Sequence, residues 1–179
     1  VLLLDLNGSF SGAFFRDYSP DNKKAIISDS SLKVWDTEKN LLLTELTGSE
    51  GYCYSAFFSR DHKKVIAAFG DSSARIWNTE TSILEHVLKK DGHSVRSALF
   101  SYDGKKVITA SKENTGMVWD IEKNQLLTEL GNEKSYYYLN SARFSPDDKK
   151  VVTASEDYTA KIWDAETGEI LFRLSGHQG

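Results

Sequence analysis

The sequence repeats itself at a period of 42 to 44 residues, and this periodicity limits the folds that the chain can adopt. Its four tryptophans, at positions 35, 77, 119 and 163, are separated by 42, 42 and 44 residues. The residues around them agree in all four copies: LKVWD, ARIWN, GMVWD and AKIWD. A self-similar unit of this length is one supersecondary element that buries its apolar surface by stacking on its neighbours.

Each unit contains four short segments rich in β-branched, aromatic and aliphatic residues. In the last unit they are SARFS, VVTAS, AKIWD and EILFRL, separated by polar turns such as SPDDKK. The hairpin-length spacing, together with the absence of sustained helical periodicity, predicts four antiparallel β-strands per unit. A single four-stranded sheet leaves both faces uncovered, whereas sheets stacked around an axis cover one another. The sequence therefore predicts an all-β chain that forms four blades of a β-propeller.

At these residues the chain resembles the WD40 repeat family. The Trp-Asp signature of that family occurs three times, and Trp-Asn replaces it at the second tryptophan. The family also places an acidic residue six positions before each tryptophan, and all four units have one. The resemblance implies a structural role for both sets of residues. They are Trp35, Trp77, Trp119 and Trp163, and Asp29, Asp71, Glu113 and Asp157.

The family links this acidic residue to a histidine, a Ser or Thr on the second strand and the tryptophan in a hydrogen-bonded network. We expect the network to be incomplete here. His93 is displaced two residues towards its tryptophan, and only the third and fourth units offer a suitable threonine, at Thr109 and Thr153. We therefore expect apolar packing to supply more of the stability than polar networks.

The repeats divide the chain at about residues 1–40, 41–82, 83–125 and 126–169, and residues 170–179 read as a fourth strand and the start of a fifth unit. The N-terminal VLLLDLNGS matches LLLTELTGS, so the fourth-strand pattern occurs once more than the other three. We interpret the chain as part of a larger propeller. The alternative is that two copies complete an eight-bladed ring, which leaves VLLLDL redundant in each copy.

Composition and motifs argue against several classes of function. The net charge of −4 and the pI of about 5.6 disfavour nucleic acid or an anionic membrane as the main partner. The single Cys53 excludes an internal disulfide and favours a reducing compartment, so we expect a cytoplasmic protein. No nucleophile elbow, Walker or dinucleotide motif occurs, and the four histidines lack the spacing of metal ligands. We therefore expect neither an enzyme nor a bound cofactor or metal.

A lysine pair follows the first turn of every unit, at positions 23–24, 63–64, 105–106 and 149–150. These eight lysines would lie on one end of the propeller, where they could bind phosphates or nucleic acid. Acidic residues of the turns between the third and fourth strands lie on the same end, however. Such interleaved charges favour solubility over a phosphate-binding surface, which leaves this function as the alternative.

The opposite end, where the chain enters each first strand, carries tyrosines and an arginine of the kind enriched in protein interfaces. Cys53, Val95 and Leu139 are predicted to point inward, with candidate binding residues on either side of them. The alternative is that some of these tyrosines pack between blades. We expect a non-catalytic interaction scaffold or sensor that presents this end to a protein partner. The candidate binding residues are Tyr52, Tyr54, Arg96, Tyr136, Tyr137, Tyr138 and Asn140.

Overall fold

The computed structural model describes residues 14–48, 52–131, 137–174 and 176, and these residues form sixteen β-strands and no helix. The first blade contains β1 (Phe14–Tyr18), β2 (Lys24–Ser28), β3 (Leu32–Asp36) and β4 (Leu41–Leu46). The second contains β5 (Cys53–Phe58), β6 (Lys64–Phe69), β7 (Ser73–Asn78) and β8 (Leu84–Lys89). The third contains β9 (Val95–Phe100), β10 (Lys106–Ser111), β11 (Gly116–Asp120) and β12 (Gln125–Leu130). The fourth contains β13 (Leu139–Phe144), β14 (Lys150–Ser155), β15 (Ala160–Asp164) and β16 (Ile170–Leu174).

Each blade is an antiparallel sheet in which the four strands pair in sequence order. The prediction of an all-β chain with four four-stranded sheets is thereby confirmed. The first strands β1, β5, β9 and β13 contact one another in succession, so they line the inner side of the stack. The predicted surplus strand at residues 1–6 and most of the predicted fifth unit lie outside the described residues.

The turn after each first strand is built by a serine and an aspartate two residues apart. In the second blade the Ser59 hydroxyl donates to Asp61 Oδ1 at 2.6 Å, and the same carboxylate accepts the Lys63 amide at 3.1 Å. His62 then adopts a positive φ of 63° and turns the chain back into β6. Short polar side chains that bond to nearby backbone stabilise such turns, which explains why the motif recurs in every unit.

The two faces of each sheet have different partners because side chains alternate along a strand. In β6, Val65 and Ala67 pack towards the first blade, whereas Ile66 and Ala68 pack towards the third. We call the side that carries the tryptophan, and that packs on the preceding blade, the tryptophan face. The opposite side is the aliphatic face, exemplified by Ile76 of the second blade. The hydrophobic core therefore lies between neighbouring blades. Burial of each large side chain there stabilises the fold by roughly 1.5–3 kcal/mol.

The indole N–H groups of three tryptophans are satisfied in two different ways, and that of the fourth has no partner among the described residues. Trp119 and Trp163 donate through Nε1 to threonine hydroxyls of their own second strands, at 3.1 and 2.8 Å. Trp77 has no such threonine, and its Nε1 donates instead to the Thr47 carbonyl of the preceding blade at 3.0 Å. Trp35 Nε1 and His93 Nδ1 are buried without a hydrogen-bond partner in the described part of the chain. The prediction of an incomplete polar network is therefore confirmed.

No helix long and apolar enough to cross a membrane occurs in the ranges that the structure describes.

Candidate functional site

At one end of the blades, backbone hydrogen bonds join the turn between the second and third strands to the segment that leads into the first strand. The Glu156 amide donates to the Tyr138 carbonyl at 2.9 Å, and the Lys112 amide donates to the Ser94 carbonyl at 3.0 Å. The turns between second and third strands therefore lie beside the residues that lead into the first strands. We call this the tyrosine end. The opposite end, formed by the lysine pairs and the turns between third and fourth strands, is the lysine end.

Three residues from two blades form the first part of the surface at the tyrosine end. The Tyr52 side chain is 60% exposed and packs edge-on against Tyr54, with ring centroids 5.3 Å apart. Lys112 of the third blade places its ammonium 5.2 Å from the Tyr54 ring centroid and donates to the Tyr54 hydroxyl at 3.2 Å. Tyr54 also packs against the core between the second and third blades. The Tyr54 ring therefore packs on the core, while the Tyr54 hydroxyl bonds to Lys112.

A second cluster joins the third and fourth blades. The Arg96 guanidinium lies 5.5 Å from the Tyr138 ring centroid, which is a cation–π distance. Its Nη1 is 3.8 Å from Glu156 Oε1, and both side chains remain partly exposed. Tyr137 and Asn140 are exposed beside this cluster. The structure therefore brings Arg96 and Tyr138 together as a pair, and it leaves Tyr137 and Asn140, close to Tyr138 in sequence, exposed.

Of the remaining predicted residues, one lies outside the described part of the chain and three are internal. Tyr136 belongs to the first group. Cys53, Val95 and Leu139 are buried, as their predicted inward orientation requires. Burial raises the pKa of the Cys53 thiol to about 11, so it remains protonated at neutral pH.

Sequence analysis did not identify three charged residues at the tyrosine end. Lys112 and Glu156 each precede an acidic signature residue by one position, which is a periodic signal that could have identified them. Arg16 of the first blade donates to the Cys53 carbonyl at 2.7 Å and to the Tyr54 carbonyl at 3.3 Å. These contacts anchor the first strand of the second blade, and with it Tyr54, to the first blade.

The acidic signature residues are occupied by contacts within the turns. Asp29 accepts from Lys33 at 2.6 Å, and this bond holds the pKa of the Asp29 carboxyl at about 2. Asp157 accepts from the Thr159 amide and hydroxyl, at 2.9 and 2.6 Å. Glu113, the longer member of the set, accepts from the Ser94 amide at 2.8 Å. These carboxylates are engaged in fixing the turns that shape the tyrosine end.

The lysine end carries interleaved charges of both signs. Lys64 pairs with Glu85 at 2.5 Å, an ion pair between the second and fourth strands of one blade. A groove between the third and fourth blades is lined by more carboxylates than lysines. The charged lining residues are Asp103, Lys106, Asp147, Asp148, Lys149, Asp164 and Glu166. This arrangement does not concentrate positive potential for a phosphate.

In the described residues no group of three or more His, Cys, Asp or Glu side chains is placed to hold a metal ion. The tyrosine end presents aromatic rings with cations held above them, at Tyr54 with Lys112 and at Tyr138 with Arg96.

The stacked four-stranded sheets define a repeat protein of the propeller class. The family model for the WD domain, G-beta repeat matches residues 40–78, 84–120 and 124–164, which together make up more than half of the chain. The chain belongs to the WD40 repeat family. No curated protein matches it. WD40 repeats generally act as protein-interaction scaffolds.

Proposed function

We propose that this protein is a non-catalytic interaction module that binds a protein partner through its tyrosine end. The observation that carries the proposal is the continuity of the surface across three blades. Tyr52 and Tyr54 of the second blade meet Lys112 of the third, and Arg96 of the third meets Tyr138 of the fourth. Tyrosine and arginine are the residue types that most often dominate binding energy in protein interfaces.

The geometry of these residues favours binding because their side chains are already held in place. Arg96 lies above the Tyr138 ring, and Lys112 is bonded to the Tyr54 hydroxyl. A side chain that is ordered before binding loses less conformational entropy when a partner docks. The 3.8 Å separation between Arg96 and Glu156 is long for an ion pair, so the guanidinium can redirect its donors to a partner.

Two further elements belong to the same proposal. The presence of a single cysteine, which excludes an internal disulfide, supports a cytoplasmic location. The paired and interleaved charges of the lysine end support a role in solubility, with the tyrosine end as the recognition surface.

The test compares two variants that remove an arginine–tyrosine pair from opposite ends of the blades. The first replaces Arg96 and Tyr138 with Ala, together with Tyr52. The matched control replaces Arg60 and Tyr102 at the lysine end, where the guanidinium lies 5.3 Å from the ring centroid. Each tagged variant is cross-linked in a cell extract, and the captured proteins are quantified by mass spectrometry. Circular dichroism verifies that both variants remain folded.

We expect the tyrosine-end variant to lose the proteins captured by the unmodified chain and the control to retain them. Capture that survives loss of Tyr52, Arg96 and Tyr138 would contradict the proposal. Loss of capture only in the Arg60 and Tyr102 control would move the recognition surface to the lysine end. Salt-sensitive capture of phosphate-bearing ligands, abolished by replacing the lysine pairs with Gln, would favour the alternative function.

A further inference from the structure

At the lysine end, the turn after the first strand of the fourth blade places a carboxylate on two backbone amides of the third blade. The amides of Tyr102 and Asp103 donate to Asp148 Oδ1 and Oδ2, at 2.7 and 2.8 Å. Successive backbone amides in a turn form a concave site for an anion, and hydrogen bonds to a charged acceptor are stronger than neutral ones. The fourth blade therefore supplies the third blade with a bound anion.

The first and second blades make an equivalent contact with a different side chain. His62 has the same position in the turn SRDHKK that Asp148 has in SPDDKK. Its Nδ1 lies 3.3 Å from Oδ2 of Asp21, in the turn of the first blade. In both cases the fourth residue of the turn reaches the turn of the preceding blade. The identity of this residue therefore decides what fills the space between two neighbouring turns.

Between the second and third blades this position is Gly104, which has no side chain to contribute. The two turns instead enclose a groove of about 230 Å³, which is lined by residues 59–61 and 102–104. A Cβ added at Gly104 would meet no atom within 4 Å. The space that Asp148 fills in the next pair of blades is therefore open here.

The turn of the second blade carries the amide pair that this groove leaves without a carboxylate. Arg60 and Asp61 have the positions of the two amide donors in the third blade. Neither amide donates to another residue in the described part of the chain, and that of Asp61 interacts with its own carboxylate. The first and fourth blades have Pro20 and Pro146 at the position of Arg60, and proline has no N–H. Only the second and third blades therefore carry both amides, and only the third has them occupied by a neighbouring blade.

We propose that the groove between the second and third blades binds a carboxylate of an acidic peptide segment, held by the amides of Arg60 and Asp61 as Asp148 is held in the next pair of blades. The Arg60 guanidinium lies 5.3 Å from the Tyr102 ring centroid, so the same groove also contains a cation. This site is separate from the tyrosine end. Because its two donors belong to the backbone, the alanine control at Arg60 and Tyr102 keeps them, and the test of the tyrosine end remains independent.

Two carboxylates that already line the groove favour a peptide carboxylate over a phosphate. Asp61 and Asp103 each accept the serine hydroxyl of their own turn, at 2.6 and 2.7 Å, and a lysine amide, at 3.1 and 2.9 Å. The third blade binds the Asp148 carboxylate at the amide of Asp103 itself, so the turn accommodates one further single negative charge. A phosphate dianion would be repelled more strongly by the same two carboxylates.

The experiment follows backbone amides of the full chain by heteronuclear NMR during titration with a blocked peptide, acetyl-Gly-Asp-Gly-amide. The control ligands are the peptide with Asn in place of Asp, and inorganic phosphate. Gly104→Asp gives the third blade the carboxylate that the fourth already has. Asp148 has a φ of 58° and Gly104 one of 72°, so the backbone there can accept aspartate. The matched control Gly104→Ala adds a Cβ without a carboxylate, and Asp148→Gly makes the reverse change.

We expect the amide protons of Arg60 and Asp61 to move downfield and to saturate with one dissociation constant. The asparagine peptide should bind at least about tenfold more weakly, because its bonds to the amides are not charge-assisted, and phosphate should also bind more weakly. Gly104→Asp should weaken binding of the aspartate peptide at least about tenfold, and Gly104→Ala less than about threefold. Asp148→Gly should create a second site, reported by the two amides that this change releases.

Five results would overturn the proposal. The absence of a saturable shift at Arg60 and Asp61 shows that the amide pair binds no carboxylate. Equal binding of the asparagine peptide shows that the charge plays no part. Undiminished binding in Gly104→Asp places the ligand outside the groove. Phosphate binding as tight as that of the aspartate peptide shows a general anion site. Shifts centred on Arg96 show that the peptide binds the tyrosine end.

Discussion

The hydrogen bond between Trp163 Nε1 and Thr153 Oγ1 allows a quantitative test of what the tryptophan network contributes. The bond is 2.8 Å long, and both residues are buried. Thr153→Val preserves the side-chain shape but removes the acceptor, leaving a buried N–H unpaired. Such a loss costs roughly 1–3 kcal/mol. A cavity of about 10 Å³ beside the pair is at the lower limit for one water. Because a water there can satisfy part of the demand, we expect a cost of about 1–2 kcal/mol.

The assay is urea unfolding followed by circular dichroism on four variants. Thr153→Ser is the matched control because it keeps the hydroxyl and loses only a methyl group. Trp163→Phe removes the donor, and the double variant with Thr153→Val removes both partners. Since the double variant leaves no unpaired group, the two single effects should exceed their combination by about 1 kcal/mol.

Two outcomes would refute this reasoning. The first is a Thr153→Val change within about 0.5 kcal/mol of zero, the usual range for a substitution without a specific mechanism. The second is additivity of Thr153→Val and Trp163→Phe. Either would mean that packing alone secures the indole and that the hydroxyl is incidental.

Three further predictions concern backbone, thiol and charge. Gly168→Ala should destabilise the protein in thermal unfolding by at least about 1 kcal/mol more than Gly104→Ala. Both glycines have a positive φ, but only at Gly168 would the new Cβ lie 2.6 Å from a threonine hydroxyl oxygen. Equal losses of stability would contradict this. Cys53 should resist thiol reagents in the native protein and react only after denaturation, because it is buried and its pKa is about 11; rapid native labelling would contradict its burial. The Lys33 hydrogen bond lowers the pKa of Asp29 from 3.8 to about 2, so its contribution to stability is present above pH 4 and is lost as the pH falls to 2. Unfolding curves of Asp29→Asn should therefore show a smaller loss of stability over that pH interval. An unchanged loss of stability would contradict the assignment.

The strands and turns could be predicted because the information for them is local. The continuous apolar run in KVIAAF predicts a strand that is buried on both faces, as β6 is. The Ser–Asp spacing in each unit specifies the turn that Ser59 and Asp61 form. Because the same pattern occurs four times, the strand order within a sheet and the stacking of one sheet on the next could both be predicted from the repeat.

The composition of the tyrosine end could be predicted only in part, because it depends on how neighbouring blades meet. Tyr52 and Tyr138 are recognisable in the sequence as aromatic residues that directly precede first strands, and Tyr54 as one near the start of β5. The position of Lys112 above Tyr54 depends on a contact between residues 58 positions apart in different blades. The anchoring of β5 by Arg16 is likewise a contact between blades, and no spacing rule within one repeat encodes it.

The four tryptophans show that the blades differ in how far each depends on its neighbour. Trp119 and Trp163 are satisfied within their own blades, whereas Trp77 requires the carbonyl of Thr47 in the blade before it. Trp35 has no partner among the described residues. The third and fourth blades therefore need no neighbouring blade to pair their indole N–H groups, whereas the second blade does. The Arg96–Tyr138 pair of the proposed recognition surface lies on the third and fourth blades, whereas Tyr52 and Tyr54 lie on the second blade, which is tied to the first through Trp77 and Arg16.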